Sequence, residues 1–369
     1  MSEKYKACML LHALGDTIGY KNSEWEFMKI KNLESKVLNK LYEYIDYGGV
    51  NYVPGDNWMI SDDTIMHIAT AKILLKDFEN VPDLCQKLAK DYVEILEYFI
   101  KDNNKEMDKR LPGYALIKSM DKLKQGIKWN EMPYDFFAGG SGASMRTSCI
   151  GLAYNGTTNR GKLVSTAIET SRITHNSAIG YLGGLTSALF TAYAIENISI
   201  EKWPFLLMDL FNYGTINQYI NYTKRDVPQF SKDSHVFIKK WSKYTDDKFD
   251  ESGKPIMRRT NKNLVHRTKY YHDNFSFEHR PEVTFPGSGG DDSVIIAYDC
   301  LLDAGKSWEK LVVYSMLHGG DTDTTGCIAG SWYGALYGFG DVPMHRIEKI
   351  ENKLEIEELG IKIFEKFKK

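Results

Sequence analysis

The chain has 369 residues, 43% of them hydrophobic, enough to bury a sizeable core as one large helical domain or as two. Its 47 Lys and Arg against 49 Asp and Glu leave a formal net charge of −2, which excludes the dense basic surface that a nucleic-acid partner requires. The five cysteines (Cys8, Cys85, Cys149, Cys300 and Cys327) are odd in number and scattered, with no Cys-x-x-Cys pair, so disulfides and a zinc-thiolate site are not expected and a reducing compartment is.

The opening MSEKYKACMLLHALGD has neither the basic start and long apolar run nor the cleavage site of a secretion signal. No stretch of about 18 uncharged apolar residues stands out, so neither a membrane span nor a membrane partner is expected, and the expected location is cytoplasmic. Helical periodicity dominates and period-2 runs are scarce, which predicts an all-α protein with short Gly-containing connections.

In chain order, Gly15-Asp16-Thr17-Ile18-Gly19 is followed by Glu24-Trp25-Glu26, where Glu26 is either a site carboxylate or a solvated helix end. Ser61-Asp62-Asp63-Thr64 precedes a predicted helix with Ile65, Ile68, Ala69 and Ile73 on one face. The next helix is DLCQKLAKDYVEILEYFI, after Pro82. Gly139-Gly140-Ser141-Gly142-Ala143-Ser144-Met145-Arg146 stands before TSCIGLAY and is either a backbone N–H cradle for phosphate or a plain turn. Thr174-His175-Asn176 opens the strongest helix, with Ile179, Leu182, Leu185, Leu189 and Phe190 on one face; His175 either bonds a helix end or contacts a ribose. Residues 225–284 are polar and aromatic and match either a mobile insertion or helices with long loops. No domain boundary is placed there, because the motifs lie on both sides, and a single domain over 1–369 is expected. A second glycine loop, Gly287-Ser288-Gly289-Gly290-Asp291-Asp292-Ser293, leads into VIIAYDCLL. A helix at 307–317 then precedes His318-Gly319-Gly320-Asp321-Thr322-Asp323-Thr324 and a run crowded with Gly326, Ala329, Gly330, Gly334 and Gly338.

Either acidic motif by itself reads as a helix cap, since Ser and Asp are favoured there and carboxylates suit the positive end of the dipole. Two together read differently. The small residues after Asp323 let that helix pack closely, which places its N-terminus deep in the protein. Several buried carboxylates without a cation are costly. Hard oxygen donors of this kind suit Mg²⁺ or Mn²⁺, with the hydroxyls of Ser61 and Thr324 as further ligands. Two sets would support two ions about 4 Å apart that share a water. Two glycine loops beside such a site point to a diphosphate-bearing substrate. No Ser-His-Asp or Cys-His spacing argues for a nucleophile.

The pieces GDTIGY with EWEF, SDDTIMHIATA, GGSGASMR, ITHNSAIGYLGGLTSALFTAYA, IAYDCLLDAG and HGGDTDTTGCIAG resemble the ADP-ribosylglycohydrolase family, in the family's order and over nearly the whole chain. The opening and the SALFTAYA stretch are most similar to its ADP-ribosylarginine hydrolase branch. That resemblance implies an orthogonal multi-helix bundle with a binuclear Mg²⁺ site. It implies metal ligands at Ser61, Asp62, Asp63, Asp321, Asp323 and Thr324, a gating glutamate at Glu26, and diphosphate and ribose contacts at Gly140, Ser141, Gly142, Ala143, Ser144 and His175. Gly287, Ser288, Gly289 and Asp291 join the substrate candidates. The implied activity is release of ADP-ribose from ADP-ribosylated arginine in proteins, by a monomer, with Asp62 or Asp63 positioning or deprotonating the attacking water. ADP-ribosylserine, O-acetyl-ADP-ribose and a catalytically silent ADP-ribose-binding role are the alternatives. One departure stands out: arginine-specific relatives carry Gly-His-Asp where this chain has Gly290-Asp291-Asp292. For the adenine, only Tyr270, Tyr271 and Phe285 are candidates.

Overall fold

The computed structural model describes residues 1–28, 32–49, 58–101, 110, 112–256, 263–275 and 285–368. Among these residues there is no strand, only two isolated bridges, Gly140 with Gly289 and Phe249 with Pro255, so the expected all-α fold is what forms.

The organising contact is between α1 (Ser2–Tyr20) and α15 (Thr322–Tyr337), which run antiparallel at backbone-to-backbone distance. A Cβ at Gly15 would stand 2.2 Å from the Gly326 carbonyl oxygen, one at Gly19 2.1 Å from that of Thr322, and one at Gly330 2.1 Å from that of Leu11. Glycine on this face removes the side chain that would hold the two helices apart. The close approach brings the N-terminus of α15, with Asp321 and Asp323, against the C-terminal end of α1.

Between these helices in sequence lie α2 (Leu33–Asp46), α3 (Asp62–Leu75), α4 (Val81–Lys101), α5 (Tyr114–Lys124), the three-residue-per-turn segment Ser141–Arg146, α6 (Ser148–Ala153) and α7 (Arg160–Arg172). The centre is α8 (Ala178–Ile195), which packs on α6, α7 and α15 and is buried at every position. This helix corrects one expectation. It has 18 uncharged residues and a mean hydropathy of 1.4, long and apolar enough to cross a membrane, yet all of it lies inside the protein. Interspersed Gly, Ser and Thr hide it from a search for apolar runs, and a helix apolar all round suits a core.

From α8 outward, α9 (Trp203–Asn212), α10 (Thr215–Thr223), α11 (Val227–Lys248), α12 (Leu264–Phe275), α13 (Asp292–Ala304), α14 (Trp308–Met316) and α16 (Lys353–Phe367) complete the bundle. The polar region at 225–284 is, in its described part, two docked helices. Trp241 of α11 enters an aromatic cluster on Phe190 with Trp203, Tyr298 and Trp332, at centroid distances of 5.2–5.7 Å. Nearby, Lys248 and Arg267 each pair with Asp299 and Asp303 in the interior. Burial alone would raise the Asp299 carboxyl; the two cations more than reverse this and hold it below its ordinary range. These buried ion pairs tie α11 and α12 to α13.

Candidate metal and substrate site

At the start of α3 the Ser61 backbone is extended, and its Oγ accepts the Asp63 N–H at 3.1 Å. The Asp16 carboxylate of α1, fully buried, accepts the N–H groups of Ser61 (3.0 Å) and Thr64 (3.2 Å) and the Thr64 hydroxyl. The Ser61 and Asp16 caps satisfy three of the orphan donors of the first turn, those of Ser61, Asp63 and Thr64. Asp62 and Asp63 line a cavity of about 250 Å³. Asp16 is a residue that motif reasoning left without a role; its signal was the pairing of GDTIG with a capless second carboxylate in SDDT.

Opposite stand Asp321, Asp323 and Thr324, which line the same cavity. Between α1 and α2 the chain passes through left-handed backbone at Lys21, Asn22, Ser23 and Phe27, none of them glycine. Phe27 N–H bonds to Gly320 O at 3.1 Å, Met28 N–H to Gly319 O at 2.9 Å, and the buried Lys40 ammonium donates to Trp25 O. These bonds hold Glu26 in place: its ligand oxygen and those of Asp321 and Asp323 lie within 4.8 Å of one another.

The electrostatics call for a cation. Both Glu26 oxygens are buried and receive no hydrogen bond among the described residues. Burial, and then the charge of Asp323, pushes the carboxyls of Glu26, Asp62, Asp63 and Asp321 well above their ordinary range. Asp16 is pushed up to about 7 for the same reasons, in the same order. A cluster of carboxylates with unsatisfied oxygens and neighbouring hydroxyls fits Mg²⁺ or Mn²⁺. The Cys327 thiol donates to Asp63 Oδ2 at 3.4 Å and is pushed up by burial, so it is present as a neutral group.

The glycine loop 139–146 forms one wall. Ser141 Oγ donates to Asp321 Oδ2 at 3.2 Å, and Ser141 N–H to Ser288 O at 2.9 Å, which join the loop to the acidic motif and to the second loop. Gly140, Ser141, Gly142 and His175 line the cavity. A Cβ at Gly142 would stand 2.5 Å from His175 Cε1, so the imidazole lies directly over that glycine. Ala143 and Ser144 are placed behind the wall: Ala143 is fully buried, and Ser144 Oγ bonds to Ser141 O (2.7 Å) and Ser293 Oγ (2.9 Å).

The second loop is placed differently from its motif reading. Its N–H groups are taken by an internal carboxyl group: Gly287 N donates to Asp292 Oδ2 at 3.1 Å and Gly289 N to Asp292 Oδ1 at 2.7 Å. Gly290 N is bonded to Gly139 O, and Asp321 N to Pro286 O, both at 2.9 Å. The loop braces the first loop and Asp321, and Asp292 fills the cradle expected to hold phosphate. Only Ser288 of this loop faces the cavity. Asp291 does not: it caps α13 through the Asp292 N–H and pairs with Lys240 at 2.9 Å in the interior. Ser61 likewise does not line the cavity.

Of the adenine candidates, Tyr271 is buried in the Arg267–Asp299 network and Tyr270 packs on Tyr271 and Phe275. Phe285 meets Phe27 edge-on at 5.2 Å, beside the cavity. The aromatics at the cavity itself are Phe27, Tyr114 and Phe137, the last two more than half exposed. Phe137, directly before the glycine loop, could have been suspected from PYDFFAGG; Tyr114 carried no sequence signal. A second cavity of about 340 Å³, with Lys118, Lys122 and Asn176 in its wall, shares Tyr114, Ala115 and Phe137 with the first.

The chain is 36% identical over 382 residues to the ADP-ribosylhydrolase ARH1 of Dictyostelium discoideum, which covers 98% of this chain and 93% of that protein. It is 38% identical over 357 residues to a protein of Acanthamoeba polyphaga mimivirus named for ADP-ribosyl glycohydrolase, covering 94% of this chain and 67% of that one. A solved structure titled as an ADP-ribosylglycohydrolase-related protein complex shares the fold, with a TM-score of 0.59 at 16% identity over 99% of this chain and 98% of its own. The ADP-ribosylglycohydrolase family model matches residues 1–369, and with that the resemblance of the motifs becomes membership: the chain belongs to the ADP-ribosylglycohydrolase family.

Proposed function

We propose that this protein is a Mg²⁺-dependent hydrolase that removes ADP-ribose from ADP-ribosylated arginine side chains. The hydrolase reading rests on the family and on the ARH1-named relative; the metal requirement rests on Glu26, whose two oxygens are buried beside Asp321 and Asp323 with no donor. The residues that would hold two divalent ions are Glu26, Asp62, Asp63, Asp321, Asp323 and Thr324. When bound, such ions neutralise the acidic end of the cleft and lower the pKa of water there.

This chain's own residues do the rest. The Gly142 backbone and the His175 ring hold the diphosphate and ribose oxygens, with Ser141 keeping the loop in register with Asp321. Phe137 and Tyr114 offer faces for a base, and the second cavity gives an elongated substrate room. Asp62 or Asp63, in the cavity wall and ionised where cations are bound beside it, would accept the proton of water attacking the anomeric carbon. Arginine is the favoured leaving group because the opening of the chain resembles that branch and an acidic pocket suits a guanidinium. Asp291, consumed by Lys240, adds no support.

The test is product analysis with ADP-ribosylarginine and ADP-ribosylserine peptides, each with and without Mg²⁺. Free ADP-ribose from the arginine peptide alone, and only with Mg²⁺, is the expected result. Turnover of the serine peptide at a similar rate would remove the arginine assignment. Full activity after exhaustive EDTA dialysis would remove the metal.

A further inference from the structure

The inner face of α2 is Leu33, Val37, Lys40 and Tyr44, so a stripe of otherwise apolar positions carries one lysine. Lys40 is 2% exposed, and burial pushes its ammonium down to about 7, against the pull of Glu26 and Glu43. An apolar side chain would continue the stripe without the cost of burying a charge. Among the described residues the ammonium has one hydrogen-bond partner, the carbonyl oxygen of Trp25, and it lies 5.9 Å from the centre of the same residue's ring. That ring is gripped from α2 as well: Trp25 Nε1 donates to Glu43 Oε2 at 3.0 Å, and Tyr44 meets the ring edge-on at 6.4 Å. The Thr322 hydroxyl stands 3.5 Å from the Trp25 carbonyl but gives its hydrogen to Gly19 O at 2.9 Å.

The Trp25 carbonyl belongs to the peptide group that precedes the Glu26 Cα. The peptide group that follows is held at its opposite end, where Phe27 N–H donates to Gly320 O at 3.1 Å. Peptide groups are planar, so holding both neighbours of one Cα sets the direction in which its side chain leaves the backbone. Here that direction brings the Glu26 carboxylate to Asp321 and Asp323, with ligand oxygens within 4.8 Å of one another. Gly320 is part of the acidic motif itself; Lys40 is the tie to a different element.

We infer that Lys40 is a positioning residue: from α2, through the Trp25 carbonyl, it holds Glu26 against Asp321 and Asp323, so that the seating of α2 decides whether those two carboxylates have a third beside them. A lysine present for its charge alone would repel an incoming cation, and its loss would tighten Mg²⁺ binding or leave it unchanged. A lysine that works through Glu26 has the opposite sign. Untied, Glu26 is in place only part of the time, and affinity falls by that fraction. That the cluster takes Mg²⁺ rests on the proposed function; that Lys40 holds Glu26 does not.

The experiment pairs hydrogen exchange of the metal-free full chain, read by mass spectrometry, with calorimetry of Mg²⁺ binding, for wild type, Lys40→Met, Glu26→Gln and the double variant. In Lys40→Met the peptide that carries Phe27 and Met28 should exchange about tenfold faster while α8 is unchanged, and Mg²⁺ affinity should fall about tenfold. In the Glu26→Gln background Lys40→Met should alter Mg²⁺ affinity by less than about twofold. Rapid exchange at Phe27 and Met28 in the wild type overturns the inference, even if Lys40→Met fails to fold. So does unchanged exchange in Lys40→Met, or faster exchange spread over the whole chain, which would leave Lys40 a residue of stability alone. Where the wild type binds Mg²⁺, equal or tighter binding by Lys40→Met overturns it too, as does a loss of affinity that persists in the Glu26→Gln background. Faster exchange confined to the Glu26 segment, in a protein whose wild type binds no Mg²⁺, would uphold the positioning and refute the metal.

Discussion

Asp323 tests whether a single carboxylate serves a cation or a helix start. Its Oδ1 accepts the Thr324 N–H at 2.7 Å, a bond that asparagine can keep, so a pure cap tolerates Asp323→Asn with little loss. The charge is another matter. Asp323 appears among the causes that raise Glu26, Asp62, Asp63 and Asp321, and removing it relieves that repulsion. The metal-free variant should therefore melt at or above the wild-type temperature, while its gain on adding Mg²⁺ shrinks. Turnover should fall about 100-fold or more, because the reacting groups lose part of what aligns them. Melting curves and rates with and without Mg²⁺ check this. Near-normal turnover with an undiminished Mg²⁺ shift would leave Asp323 as a cap alone.

At the scale of elements, the α1–α15 contact decides the shape of the site. Replacing a helical glycine by alanine ordinarily stabilises by about 1 kcal/mol through propensity. At Gly330 the new Cβ would be 2.1 Å from the Leu11 carbonyl, a backbone atom that cannot swing aside. Overpacking of that kind costs about 1–3 kcal/mol or more and outweighs propensity. Gly330→Ala should lower the melting temperature and, by shifting α15, weaken Mg²⁺ binding at Asp321 and Asp323. Gly161, in the first turn of α7 with nothing within 4 Å of its added Cβ, is the control, and Gly161→Ala should be neutral or stabilising. Equal effects of the two substitutions in thermal melts would show that the helices can separate freely.

For the whole molecule, two sets of buried groups pull stability in opposite directions with pH. The raised carboxyls stay protonated in the metal-free native chain where the unfolded chain is ionised, so they withdraw stability as pH rises above about 4 toward their folded values. The histidines act the other way. Burial lowers His12 to about 4 and depresses His67 and His318, so below about 6.5 only the unfolded chain takes up their protons and stability is lost as pH falls. A bound cation competes with protons for the carboxylates and leaves the histidines untouched. The Mg²⁺-dependent gain in melting temperature should thus grow from pH 5 to pH 7.5, as measured by scanning calorimetry at several pH values. A gain independent of pH would mean that protons and cation do not share these ligands.

Local chemistry made much of this legible in the amino-acid order. Helix starts at Ser61, Ser307 and Asp321 follow from capping and dipole preferences that act within one turn, and the apolar spacing after Asn176 marks the central helix. The paired acidic motifs and the glycine loops carried the family, since residue type and order are enough to recognise it. What remained undecided depends on partners distant in sequence. The loop at 287–290 has the composition of a phosphate cradle, but its donors are spent on Asp292, a competition invisible until both are placed. Asp291 was open to a substrate until Lys240 of α11 came within 2.9 Å. Asp16 acquired its work only when α1 met the start of α3, and His175 its place over Gly142 only when the helix start folded against the glycine loop. A sequence states which groups can donate, accept or carry charge; the tertiary structure decides which of them are already satisfied, and only the unsatisfied ones are left for a ligand.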